Sequence, residues 1–161
     1  MAVSATTRIR LSGTVIAWVY AHSHVLLYKL TGGRLGARIR GERDAGDPPV
    51  LLLTTRGRRS GKPRTTPLLY LESGGELVVM AANAGNRRHP DWWMNLLAEP
   101  HATVQIGGER TPVVASEVAG PHRDETWQRY ARMYPAVDVY QRATARRIPL
   151  VTLRRVNGTL H

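Results

Sequence analysis

An α+β fold, in which one antiparallel β-barrel carries flanking helices, is predicted from three observations. Short apolar runs recur at close spacing: Val50 to Thr55, Thr65 to Leu71, Leu77 to Ala82, Ala102 to Ile106, Arg110 to Val118 and Leu150 to Val156. Tight glycine turns separate several of them, Ser73-Gly-Gly-Glu76 and Gly107-Gly-Glu109 among these, which is the punctuation of hairpins. Helical stretches fall between the runs, one opened by Pro90, one from His122 to Met133 and one from Val137 to Arg146. The 161 residues show no internal repeat and no linker, so 1–161 is expected to be a single domain with its barrel core over 50–156.

Composition narrows what such a domain can do. Apolar residues make up 42%, yet Phe is absent, so Leu, Val, Ile, Tyr and Trp must fill the core. The absence of Cys excludes disulfides and thiolate chemistry and removes any need of an oxidising compartment, so a cytoplasmic location is expected. The histidines show no ligand spacing with acidic partners, and no metal site is expected. Net charge is +11, from 23 basic residues against 12 acidic. Such an excess points to a polyanionic partner: nucleic acid, an anionic membrane, or a cofactor with an acidic tail.

Residues 1–7 are expected to be a disordered start. Val15, Ile16, Trp18, Val19, Leu26, Leu27 and Tyr28 suit an amphipathic helix within 1–30, interrupted by Gly13, His22 and His24 and so a poor transmembrane candidate. Two roles stay open for it, a cover for a barrel end or a peripheral contact with the inner membrane surface. The Gly-, Arg- and Pro-rich residues 31–49 are expected to cross irregularly into the first strand.

The chemistry concentrates in the hairpin from Leu51 to Tyr70. Five basic residues lie between Arg56 and Arg64, punctuated by Gly57 and Gly61. Guanidinium forks, an ammonium and the Ser60 hydroxyl together suit a cluster of anionic oxygens. A solvated, charged hairpin tip is the plain alternative. A nucleotide-binding P-loop is excluded: the glycines are one residue too close, no Ser or Thr follows Lys62, and Pro63 blocks a helix start. Pro90 suits the first position of a helix holding Asp91, Trp92, Trp93, Met94 and Asn95.

The string Leu53-Thr-Thr-Arg-Gly-Arg-Arg-Ser-Gly-Lys-Pro-Arg-Thr-Thr-Pro-Leu68 resembles the deazaflavin-dependent nitroreductase family, whose members bind coenzyme F420 on a split β-barrel of the FMN-binding type. Ala81-Ala-Asn-Ala-Gly-Asn-Arg-Arg-His-Pro-Asp-Trp-Trp-Met-Asn-Leu96, Met133-Tyr-Pro135, and Tyr140-Gln141 through Arg147-Ile-Pro-Leu150 continue the likeness in the family's order. The resemblance implies that Arg58, Arg59, Ser60, Lys62 and Arg64 hold the phosphate and glutamate tail of F420. Thr65, Thr66, Pro67, Leu68 and Leu69 would line the cofactor, and Met80, Ala81, Ala82 and Asn83 would give backbone contacts to its ring. The helix start from Asp91 to Asn95 would lie beside the phosphate, where a helix N-terminus favours an anion, with one of Trp92 and Trp93 filling the core. Val137 would also border the cofactor. Tyr134 and Tyr140 would face the substrate, as half-buried tyrosines that can donate to an acceptor oxygen gaining charge.

Three positions depart from the family's best-known nitroreductase. Leu69 and Val137 stand where it has Tyr, and Ala82 where it has Ser. Cofactor binding is expected to be kept, while that enzyme's substrate range does not carry over. The implied function is hydride transfer from F420H2 to a small electron-poor acceptor such as a quinone, an enone or a nitro compound, by a homodimer. A non-catalytic F420 carrier, a flavin-mononucleotide oxidase and a basic nucleic-acid-binding barrel are the alternatives. No nucleic-acid partner is expected, because the aromatics lie in helical, apolar contexts rather than on an open groove.

Overall fold

The computed structural model describes residues 48–156, and the helix expected within 1–30 lies outside them. Six strands make one closed antiparallel barrel: β1 (Val50–Arg56), β2 (Pro63–Ser73), β3 (Glu76–Met80), β4 (His101–Ile106), β5 (Glu109–Glu117) and β6 (Leu150–Arg155). Round the barrel they run β1-β2-β3-β6-β5-β4, and β4 pairs back onto β1. Three α-helices complete the described chain: α1 (Asp91–Ala98), α2 (His122–Met133) and α3 (Ala136–Arg142).

Register decides which side chains face inward, since a slip of one residue would turn every one of them over. β1 pairs Leu53 with Thr66 and Leu51 with Leu68. Leu51, Leu53, Tyr70, Val79, Val104, Val113, Val151 and Leu153 then meet in one core, joined by Trp92, Trp93 and Leu96 of α1. Full burial of each Leu contributes roughly 1.5–3 kcal/mol. A second core lies on the other face of β2, β3 and β6, where Val78, Met80 and Leu150 pack against Tyr130 of α2 and Val137 of α3. Two devices tie α2 to β2: the Tyr130 hydroxyl donates to Leu69 O at 2.7 Å, and Arg129 donates to Ser73 Oγ and Glu72 O. Burial pushes the Tyr130 phenol upward, which keeps it a donor.

Some expected boundaries move. β2 runs two residues beyond its apolar run at each end, because ladder pairing with β1 and β3 extends it as far as Pro63 and Ser73. β3 ends at Met80 rather than Ala82, and Pro90 is the residue before α1 rather than its first. α3 stops at Arg142, four residues short of Arg146. Its Gln141 takes over the following turn, donating Nε2–H to Arg146 O at 2.9 Å and accepting from Ile148 N at 3.0 Å. Side-chain bonding to nearby backbone competes here with helix continuation.

Candidate active site

The expected residues fall into two groups. In the first, the 57–62 loop closes on itself through Gly57 N to Lys62 O at 2.8 Å and Gly61 N to Gly57 O at 2.7 Å. A Cβ on Gly57 would stand 2.7 Å from Ser60 Oγ and 3.2 Å from Lys62 O, so a side chain there would displace the Ser60 hydroxyl and crowd the turn. Arg58 does not point outward with its neighbours. Its guanidinium reaches Asp91 Oδ1 at 2.9 Å and Asn95 Oδ1 at 3.1 Å, and its own N–H donates to the same Asn95 oxygen. Asn95 is buried and donates in turn to Thr55 Oγ1 at 3.1 Å. The basic loop is thereby strapped to the start of α1. Arg59, Ser60, Lys62 and Arg64 are exposed beyond this strap, and among the described residues the three cations form no ion pair.

The helix start differs from expectation in one respect. Trp93 and Met94 amides both donate back to Pro90 O, and Asp91 adds a carboxylate there. The Arg58–Asp91 pair therefore stands at the helix start beside the amides of Asp91 and Trp92. Both Trp92 and Trp93 turn into the barrel core, edge to face with centroids 6.4 Å apart, while Met94 is half-buried. Along β2 the side chains alternate: Leu68 joins the barrel core and Leu69 the outer one, and Thr65 shares a 2.9 Å hydroxyl contact with Thr54. Thr66 and Pro67 are half-buried between them.

The second group lies on the outer core. Leu69, Met80, Ala82, Val137, Tyr134 and Tyr140 share one cluster, so all three departures from the nitroreductase pattern belong to the same cluster as both tyrosines. The two phenol oxygens are 3.3 Å apart and the rings 6.3 Å centre to centre. That hydrogen bond, with partial burial, pushes the Tyr134 phenol up to about 12, so it stays protonated near neutrality. The connection 81–90 runs from this cluster to α1. Asn83 lies exposed on it, with Nδ2–H donating to Arg88 O.

Arg146 escaped sequence reasoning. Its guanidinium donates to Ala81 O at 3.1 Å, Ala82 O at 2.6 Å and Asn86 O at 2.9 Å, and meets His89 Nδ1 at 3.3 Å. The carbonyls of Ala81 and Ala82 are therefore occupied by protein. An Arg-Arg pair in a loop reads as solvated charge, and only the return of the chain to β3 reveals another use. The cavity between Tyr70, Leu77, Val104, Ile106 and Val113, about 170 Å³, is lined by none of the expected residues.

His89 supplies a test of this cluster. Burial and the Arg146 charge hold its imidazole below the ordinary value, against a smaller opposing pull from Glu117. A depressed histidine contributes stability that is complete above its unfolded pKa of about 6.5 and is lost as pH falls through the folded value. Melting temperature should fall on acidification below about pH 6.5. His89→Gln, which keeps an acceptor for Arg146, should remove part of that fall in a calorimetric pH series. An unchanged slope would clear His89 of this role.

A closed antiparallel barrel with an exposed cationic loop and a hydrogen-bonded tyrosine pair fits the class of split-barrel, cofactor-dependent oxidoreductases. Comparison with known proteins makes the class specific. The family model described as F420H(2)-dependent quinone reductase matches residues 20–155. The chain is 37% identical over 140 residues to the F420H(2)-dependent quinone reductase Rv1261c of Mycobacterium tuberculosis, covering 82% of this chain and 87% of that one. A solved F420-H2 dependent reductase, FDR-A, superposes with a TM-score of 0.60 at 35% identity, over 65% of this chain and 93% of that one. Another solved structure, described only as a domain-swapped dimer, gives a TM-score of 0.62 at 30% identity over 87% of this chain and 99% of that one. The chain belongs to the F420H(2)-dependent quinone reductase family and is an F420-dependent oxidoreductase. Its donor set fits the anionic cofactor, since the exposed cations of the loop are held in place by Gly57 and the Arg58 strap.

Proposed function

We propose that this enzyme reduces small or planar quinones with F420H2, and that Tyr140, supported by Tyr134, donates to the quinone oxygen. The observation that carries this is the shared cluster of Leu69, Ala82 and Val137 with the two tyrosines. It leaves two phenols and an apolar wall, suited to a flat acceptor with carbonyl oxygens and poor in donors for a bulky nitro compound. When bound, the deazaflavin supplies a hydride and becomes oxidised, while the quinone gains that hydride and one proton to become the hydroquinone. The chain's own part is to bind and orient. Arg59, Ser60, Lys62 and Arg64 would hold the phosphate and acidic tail, and the backbone from Met80 to Asn83 would meet the ring. Tyr134 Oη, 3.3 Å away, can hand a proton to Tyr140 or accept its hydrogen bond.

A homodimer is proposed with this reading, supported by the neighbour described as a domain-swapped dimer. A cytoplasmic site of action is proposed on the cysteine-free composition. For residues 9–30 a cover for a barrel end is proposed, with contact with a membrane surface as the second role their apolar and aromatic content allows. No described helix is long and apolar enough to cross a membrane.

A steady-state assay of F420H2 oxidation tests the acceptor. Turnover with a small naphthoquinone should exceed that with a bicyclic nitroimidazole, and F420 should bind far more tightly than flavin mononucleotide. Fast nitroimidazole reduction would reverse the acceptor assignment. F420 binding without turnover of any acceptor would favour a carrier.

A further inference from the structure

We infer that Arg146 is a positioning residue for hydride transfer, fixing the backbone of Ala81 to Asn86 in register with the helix that carries Tyr140. The inference rests on the placement of the cofactor ring against Met80 to Asn83 proposed above. All three guanidinium nitrogens of Arg146 are used, on Ala81 O, Ala82 O and Asn86 O, with His89 Nδ1 as a further contact. A planar fork of donors spanning three carbonyls defines an orientation, which a single flexible ammonium cannot do.

Three further features show a segment held rather than merely satisfied. Asn83 and Ala84 both adopt left-handed backbone, with φ of 48° and 51°, a conformation that costs L-residues energy and persists where surroundings impose it. Gly85 follows, pressed against α3, and a Cβ there would lie 2.9 Å from both Tyr140 O and Ala143 Cβ. Gln141, beside Tyr140, shapes the turn that sends Arg146 back, through its bonds to Arg146 O and Ile148 N. The ring platform and the tyrosine are thus fastened to one another twice, at Gly85 by contact and at Arg146 by hydrogen bonds. A displacement near 1 Å between reacting groups can cost ~10²-fold in rate.

The test compares Arg146→Ala and Arg146→Lys in the full chain. In the cofactor-free protein, amide hydrogen exchange across 82–89 should quicken in Arg146→Ala while β1 and β4 keep their protection. With a small quinone, kcat should fall ~10–100-fold in Arg146→Ala and less in Arg146→Lys, with the F420H2 Kd moving less than about threefold. Gly85→Ala, which disturbs the same junction from its other side, should repeat the kcat-selective loss should Arg146→Ala fold poorly. Unaltered exchange overturns the latch, and unaltered kcat beside quickened exchange overturns its positioning role. A native protein that oxidises no F420H2 would defeat the proposed function instead, and the exchange result would still decide the latch.

Discussion

Tyr140→Phe should lower quinone turnover by ~10²–10³-fold, the usual cost of one preorganised donor at developing charge. The F420H2 Kd should change little, because the substitution removes one phenol oxygen and leaves in place the apolar wall of Leu69, Ala82 and Val137 and the cations proposed to hold the cofactor's tail. Few donors remain to replace it there. Tyr134 is the partner, 3.3 Å away, and its phenol, pushed up to about 12, is protonated at working pH. Tyr134→Phe should therefore cost less than Tyr140→Phe, and the double variant less than the product of the two, since the pair acts as a unit. Steady-state kinetics with a fixed quinone and varied F420H2 would separate kcat from KM. Full activity in Tyr140→Phe would remove tyrosine donation from the mechanism.

The second large effect is expected on binding. An Arg59→Ala, Lys62→Ala double variant should weaken F420 binding by roughly 10²–10⁴-fold if each cation makes one charge-assisted bond worth about 1.5–3 kcal/mol. The affinity of the native protein should fall with added salt, and that of the variant less steeply. Arg58→Ala should weaken binding by a different route. It would remove the ion pair with the exposed Asp91 at the start of α1 and deprive buried Asn95 of the side-chain hydrogen bond to its Oδ1, leaving the one from the backbone N–H of residue 58. Its melting temperature should fall as well, whereas the exposed pair at 59 and 62 should leave stability almost unchanged. Fluorescence titration beside thermal denaturation distinguishes the two routes. An unchanged Kd in the double variant would return the loop to a solvated hairpin tip.

The proposed acceptor preference would follow from both effects together. A strapped cationic loop can hold an acidic cofactor without help from the acceptor side. The acceptor side is then free to be apolar, and three substitutions toward apolar residues converge there.

The sequence by itself determined the element types, because they rest on local physics. Alternating and continuous apolar runs, glycine turns and proline-led helix starts require no distant partner, and each strand lies where such a run stands. The basic loop and the tyrosines were legible for the same reason, as short strings whose likeness to a known family covers most of the chain from Val50 onward. Tertiary structure alone decided how the charges are spent. Arg58, one of five basic residues in its loop, turns back because α1 brings Asp91 and Asn95 within reach across more than thirty residues of chain. Arg146 turns back onto the chain because the connection after β3 presents three carbonyls 60 to 65 residues away in sequence. A guanidinium looks the same in sequence whether it meets water, a phosphate or a peptide carbonyl. Which of these it meets depends on how barrel closure and helix packing order the chain around it.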